Sequence, residues 1–253
     1  VVGLLAGGLA VAAGCAELRP PTAEELNRGY VLLLPGVESE GVYLAPMIAG
    51  LRDGGVTQAV DMDMWGMRPM GTMLNLTDYE ANRKEAGRLA SKIVTYRNEH
   101  PSAPITIVGY SGGGGMALFT AEALPQDFVI DRVVLLAAAI SPRYDLGKTM
   151  AHCRQGIVSF YSENDWSIVG VGTELFGTMD RQRTASAGYI GFRNNNDQLL
   201  TRGGLEQIAW TPAWRNLGHG GDHGGYLARA WAREMLAPQL RLSSTAASRP
   251  AGK

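Results

Sequence analysis

Only two cysteines and four histidines stand among the 253 residues. A disulfide framework is therefore excluded, and a metal site has few side chains to draw on. Charge of one sign is also missing. Lysine and arginine number 23 against 24 aspartates and glutamates, a net charge of −1. That balance offers no basic face to a polyanion, so nucleic acid is not expected as a partner. There is no apolar run long enough to span a bilayer, and no internal repeat. The longest apolar stretch, Val1 to Cys15, has the length of a signal-peptide core. Glycine is abundant, at 33 residues, and a hydrophobic content of 45% suits one large α/β domain with a full core.

The most informative stretch is Ile105-Thr106-Ile107-Val108-Gly109-Tyr110-Ser111-Gly112-Gly113-Gly114-Gly115. A β-branched run enters Gly-x-Ser-x-Gly and a helix-prone segment follows at once. This is the context of a nucleophile elbow, in which a sharp strand-to-helix turn lifts a serine hydroxyl above a sheet edge. Gly109 and Gly113 need to be small for strand and helix to approach, and the first N–H groups of the helix face whatever the serine attacks. The same glycines also fit Gly-x-Gly-x-x-Ala from Gly112 to Ala117, a dinucleotide fingerprint that needs an acid at the far end of the next strand. Asp131 has roughly that spacing but precedes the strand Val133–Ile140, whose end carries Ala139, Ile140 and Ser141. The local context therefore favours acyl-serine chemistry over a cofactor.

Along the chain, short apolar runs alternate with helical patterns, the signature of a mostly parallel sheet wrapped by helices. Strands are expected at Tyr30–Pro35, Gln58–Trp65, Ile105–Tyr110, Val133–Ile140, Ile157–Tyr161 and Leu205–Trp210. Helices are expected at Val42–Asp53, Thr77–Glu99, from the elbow to about Leu124, and at Tyr226–Leu236. The glycine- and asparagine-rich segment Val169–Leu200, with a short helix at Thr173–Met179, is a candidate cover for a site mouth and too short for a large cap domain.

A serine hydroxyl is a poor nucleophile near neutral pH unless a base lies within hydrogen-bond reach and the base is held in one tautomer. Downstream of Ser111, the strand ending at Tyr161 runs into Ser162-Glu163-Asn164-Asp165-Trp166. Near the C-terminus comes Gly218-His219-Gly220-Gly221-Asp222-His223-Gly224-Gly225, before a helix. An acid past a strand and a histidine before the last helix complete the set, in the order serine, acid, histidine.

Over about residues 30–240, in motifs and in element order, the chain resembles the α/β-hydrolase superfamily. The resemblance implies a mostly parallel central sheet with helices on both faces and no large cap. It implies Ser111 as nucleophile, Asp165 as acid and His223 as base, with the amides of Gly112 and Val37 as oxyanion hole; Val37 lies in Leu34-Pro35-Gly36-Val37-Glu38. His219 is the alternative base and Asp145 the alternative acid, with Glu163 a nearer but solvated rival. His100 reads as a helix cap, and His152 has no obvious partner. His219 and His223 have zinc-like His-x-x-x-His spacing, but the intervening Gly-Gly-Asp disfavours the helix such a site needs. Asp61 and Asp63 face either a pocket mouth or solvent, and Cys153 reads as a structural thiol.

Ala12-Ala13-Gly14-Cys15 resembles the lipobox of bacterial lipoproteins. That resemblance implies cleavage before Cys15, lipidation of its thiol and a place in the bacterial cell envelope. The expected organisation is a signal segment over 1–14, a linker over 15–29, a hydrolase domain over 30–241 and a disordered tail over 242–253. The expected activity is hydrolysis of a small-molecule or lipid ester through an acyl-serine, without metal or organic cofactor. Trp65, Met67, Met70 and Trp166 suit an acyl or aromatic pocket. Thioesterases and peptidases share the scaffold, and a non-catalytic envelope lipoprotein using it as a binding module is the rival of another class.

Overall fold

Five consecutive apolar residues, Tyr30–Leu34, form β1, and every one is buried. Tyr30, Leu32 and Leu34 face one hydrophobic core while Val31 and Leu33 face a second on the other side of the sheet. A strand covered on both faces reads as an unbroken apolar run, as expected where helices cover both faces of a parallel sheet. The computed structural model describes residues 19–38, 41–66, 72–165 and 177–241. Its sheet adds β2 (Ala59–Met62), β3 (Ile105–Tyr110), β4 (Arg132–Leu136), β5 (Ile157–Tyr161) and β6 (Leu205–Ala209) in the order β2-β1-β3-β4-β5-β6. All five neighbouring pairs are parallel.

The helices are α1 (Ala23–Arg28), α2 (Ala45–Asp53), α3 (Thr72–Thr77), α4 (Tyr79–Glu99), α5 (Gly112–Glu122), α6 (Gly147–Ala151) and α7 (Ala187–Ile190). The C-terminal stretch is α8 (Arg229–Trp231), a π turn (Ala232–Leu236) and α9 (Ala237–Leu240). Ala86, Leu89, Ala90 and Ile93 of α4 join Met116–Phe119 of α5 in the first core. Met47, Ile48 and Leu51 of α2 pack with Trp231, Leu236 and Leu240 in the second. None of the helices among the described residues is long and apolar enough to cross a membrane.

From β1 the chain steps outward to β2, then returns to place β3 on the other side of β1. The connections after β1 and β3 therefore run to opposite sides, opening a crevice beyond the carboxyl ends of these strands. In open α/β sheets that is where ligands bind.

Several elements differ from expectation, each for a local reason. β4 stops at Leu136 because Ala137 has φ 48°, a left-handed conformation that leaves the ladder. The expected helix at Thr77–Glu99 starts at Tyr79, where Asp78 accepts a hydrogen bond from the Ala81 amide and caps α4, and Thr77 instead ends the separate short helix α3. The closing helix begins later and ends later than Tyr226–Leu236, since His223–Leu227 is a 3₁₀ turn. The segment 15–29 contains α1, with a reciprocal capping box between Thr22 and Glu25. Residues 1–18, including Cys15, the tail 242–253, Met67, Met70, Trp166 and most of the expected Thr173–Met179 helix lie outside the described residues.

Candidate functional site

The turn from β3 into α5 has the geometry that its glycines require. Ser111 sits at φ 56°, ψ −122°, where a non-glycine residue is strained. The strain is held by three backbone hydrogen bonds. The Ser111 amide donates to the Leu136 carbonyl at 2.9 Å, and the Ser111 carbonyl accepts from Gly114 and Ala139 at 2.9 and 3.0 Å. A Cβ on Gly109 would lie 2.2 Å from the Gly113 carbonyl oxygen, and one on Gly113 would lie 2.2 Å from that of Leu34. Neither position tolerates a side chain, so strand and helix close on each other only because both are glycine.

Past β5, Asp165 is fully buried, and its Oδ2 accepts a 2.6 Å hydrogen bond from His223 Nδ1. This bond spans 58 residues of sequence and is the one that orients an imidazole. Burial raises the Asp165 pKa, and the hydrogen bond from His223 opposes that rise. The carboxylate thus lacks solvation and gains when positive charge forms on its neighbour. Two contacts set the imidazole beside the elbow. The Tyr110 ring lies 4.9 Å from the His223 ring, centroid to centroid, and the Tyr110 hydroxyl donates to the His223 carbonyl at 3.1 Å. His223 Nε2 is buried with no hydrogen-bond partner among the described residues, so there is no Ser111–His223 hydrogen bond. Such bonds are often long before substrate arrives.

His219, four residues earlier, has another environment. Its ring is boxed by Trp214, Tyr226 and Trp231 at centroid distances of 5.5, 4.3 and 5.4 Å. Its Nδ1 accepts from the Gly221 amide at 3.1 Å, and burial lowers its pKa to about 4. A Cβ on Gly225 would fall 2.0 Å from that nitrogen, so glycine there makes room for the ring. The two imidazoles turn their Nδ1 atoms to different partners. Among the described residues no three His, Cys, Asp or Glu side chains are grouped to hold a metal ion.

Asp145 is exposed, accepts from the Gly147 amide at 2.9 Å and lies 3.8 Å from Arg202. It is not brought to either histidine. Glu163 is exposed and 3.7 Å from Arg193. Asp131, the acid of the dinucleotide pattern, lies at the opposite end of the sheet, where it accepts from the Ile105 amide at 2.8 Å and pairs with Arg154. His100 terminates α4 and stacks on Tyr96, while His152 Nδ1 lies 2.8 Å from the Phe128 carbonyl oxygen. Asp61 and Asp63 share Lys92, at 2.9 and 2.8 Å, rather than facing open solvent. Burial pushes the Cys153 thiol up to about 12, which makes it inert at neutral pH.

The Gly112 amide is the first of α5 and so has no intrahelical partner. A Cβ built on Gly112 would lie 2.3 Å from Val37 Cγ1 and 3.3 Å from Val37 N, so Val37 packs directly against the backbone of Gly112. The Trp65 ring lies against the same spot, with Cζ2 3.4 Å from that Cβ position, and is itself fully buried. Sequence reasoning missed Ser162 and Tyr110. The Ser162 hydroxyl donates to the Gly221 carbonyl at 2.6 Å, tying the histidine loop to the end of β5. Its sequence signal was only its place next to a strand end.

The sequence matches no family model and no curated protein. Solved structures do resemble the fold. The LpqC poly(3-hydroxybutyrate) depolymerase from Bordetella parapertussis superposes with a TM-score of 0.52 at 11% identity, covering 87% of this chain and 88% of that one. The chain has the α/β-hydrolase fold. The esterase domain of a Rhodothermus marinus protein (TM-score 0.47, 14% identity, 87% and 89% covered) and a predicted CIB-like hydrolase from Thermoplasma acidophilum (0.45, 17%, 85% and 88%) are further likenesses.

Proposed function

We propose that the protein is a serine hydrolase that cleaves a carboxylic ester through an acyl-serine intermediate. The observation that carries this reading is the buried Asp165–His223 pair beside a strained Ser111, at the crevice between β1 and β3. Ser111 Oγ attacks the ester carbonyl carbon while His223 Nε2 takes its proton. The imidazolium that forms is compensated by Asp165, whose buried carboxylate is otherwise poorly solvated. The carbonyl oxygen gains a negative charge between the Gly112 and Val37 amides. One such donor contributes about 3 kcal/mol to lowering the barrier. His223 then protonates the leaving alcohol, and water repeats the cycle on the acyl-enzyme.

An ester substrate is in keeping with the depolymerase and esterase descriptions of the neighbours, whose likeness itself extends to the fold. We also propose an envelope location: lipidation at Cys15 would hold the hydrolase at a membrane, and Cys15→Ser should then move it to the soluble fraction. A fluorophosphonate probe followed by peptide mass mapping tests the central reading. An adduct on Ser111 that Ser111→Ala abolishes supports it. Absence of an adduct on the folded protein at neutral pH favours the non-catalytic binding module.

A further inference from the structure

The turn after β1 is held by side chains from three separate segments, which together grip the two peptide groups flanking the one that carries the Val37 N–H: Pro35–Gly36 on one side and Val37–Glu38 on the other. Trp65 Nε1, following β2, donates to the Pro35 carbonyl at 2.9 Å. The Gly36 amide donates to the Tyr43 hydroxyl at 2.8 Å, and that hydroxyl donates to Glu38 at 3.2 Å. Asn75 Nδ2, from α3, donates to the Val37 carbonyl at 2.8 Å. Asn75 is buried and is braced in turn, since Asn82 Nδ2 of α4 donates to its backbone carbonyl at 2.8 Å. The polar backbone atoms of the turn are thus occupied on both sides of the Val37 amide, and that amide donates to no other group among the described residues.

We propose that Trp65, Tyr43 and Asn75 are positioning residues that aim the Val37 N–H at the oxygen on which charge develops. The proposal rests on the ester-hydrolase reading and deepens it. A short turn carrying Pro and Gly has no ladder to hold its amide planes. A backbone donor acts as a preorganised dipole only when its peptide cannot rotate away as charge appears. Asn75 grips the carbonyl of Val37 itself, and Trp65 fixes the plane entering Gly36. Tyr43 fixes the Gly36 amide, whose rotation would carry the Val37 plane with it. Because α3 and β2 lie far from Ser111 in sequence, the donor's direction is a tertiary property.

The test compares Asn75→Ala, Trp65→Phe and Tyr43→Phe with the unmodified chain on a p-nitrophenyl ester, with active sites counted by the fluorophosphonate. Trp65→Phe removes the N–H donor together with part of a buried ring, whereas Tyr43→Phe keeps the ring and deletes only the hydroxyl, which guards against loss of folding in the other two. The expected result is a kcat about tenfold to a hundredfold lower per labelled site in Asn75→Ala and Trp65→Phe, with KM not raised. Tyr43→Phe should show a smaller loss. Affinity for an arylboronic acid, whose tetrahedral adduct on Ser111 places an oxygen between the two amides, should fall by the same factor as kcat/KM. If the labelled fraction drops but kcat per site and boronate affinity stay as in the unmodified chain, the three side chains only stabilise the fold and the proposal is wrong. If the unmodified chain takes no label and turns over no ester, the hydrolase reading fails instead, and the two failures are told apart by that control.

Discussion

The two ends of the sheet solve opposite problems. At the amino-terminal end Asp131 is buried and satisfied by the Ile105 amide and Arg154, and His152 meets the Phe128 carbonyl. At the carboxyl-terminal end Ser111 is strained, while Asp165 Oδ1 and His223 Nε2 are buried without hydrogen-bond partners among the described residues. Orphaned polar atoms and strained backbone cost stability, and folds keep them where chemistry uses them. The first end holds the strands in register. On the hydrolase reading proposed above, the second keeps donors and acceptors open for a reacting group.

Substitutions at the open end should abolish turnover without harming the fold. Ser111→Ala should lower kcat by about 10⁴-fold or more. Asp165→Asn should cost about 10⁴-fold by losing the acceptor that holds the His223 tautomer. Since Asp165→Asn also removes a buried charge, its melting temperature should be no lower than that of the unmodified chain. A clear fall in melting temperature would mean that the acid braces the fold.

The next effect is one of pH. His219 has its pKa lowered to about 4 by burial, from 6.5, so between those values the unfolded chain takes up a proton that the folded one refuses. Stability should therefore fall as pH drops through this window, by up to about 3 kcal/mol. Asp165, with its pKa raised, acts in the reverse sense. Denaturant midpoints for the unmodified chain and His219→Asn isolate the histidine: the difference between them should shrink from pH 7 to pH 4, and a constant difference would refute it.

At the satisfied end Asp131→Ala should destabilise by about 1–3 kcal/mol, because it strands the buried Ile105 amide. Turnover per labelled site should not change, and a drop there would blur the division between the two ends. The smallest effect is expected for Ser111→Gly, which relieves the φ 56° conformation and should stabilise by about 1 kcal/mol while inactivating the protein. A thermal scan that shows no gain would place the strain elsewhere.

Much of the site was legible because its signals are local. Gly109 and Gly113 announce a close approach of strand and helix wherever they occur, and the runs Ile105–Tyr110 and Ile157–Tyr161 have the observed strand bounds. The choice between His219 and His223 was not legible. Both lie in one glycine-rich loop, and what separates them is that one ring meets Asp165 while the other meets three aromatic side chains. Helix α1 could have been read from Thr22-Ala23-Glu24-Glu25, a capping-box pattern. The premature end of β4 could not, since nothing in Ala137-Ala138-Ala139 marks a left-handed residue.

By itself the sequence determined the alternation of strand and helix, the two-sided burial of the sheet and the sharp turn at Ser111, because these follow from side-chain period and from the freedom of glycine. Only the tertiary structure decided which histidine meets the acid, and which residues, Trp65 after β2 and Asn75 in α3, grip the turn at Val37. Those relations join positions tens of residues apart, and their energies arise from burial and direction that exist only once the strands lie side by side.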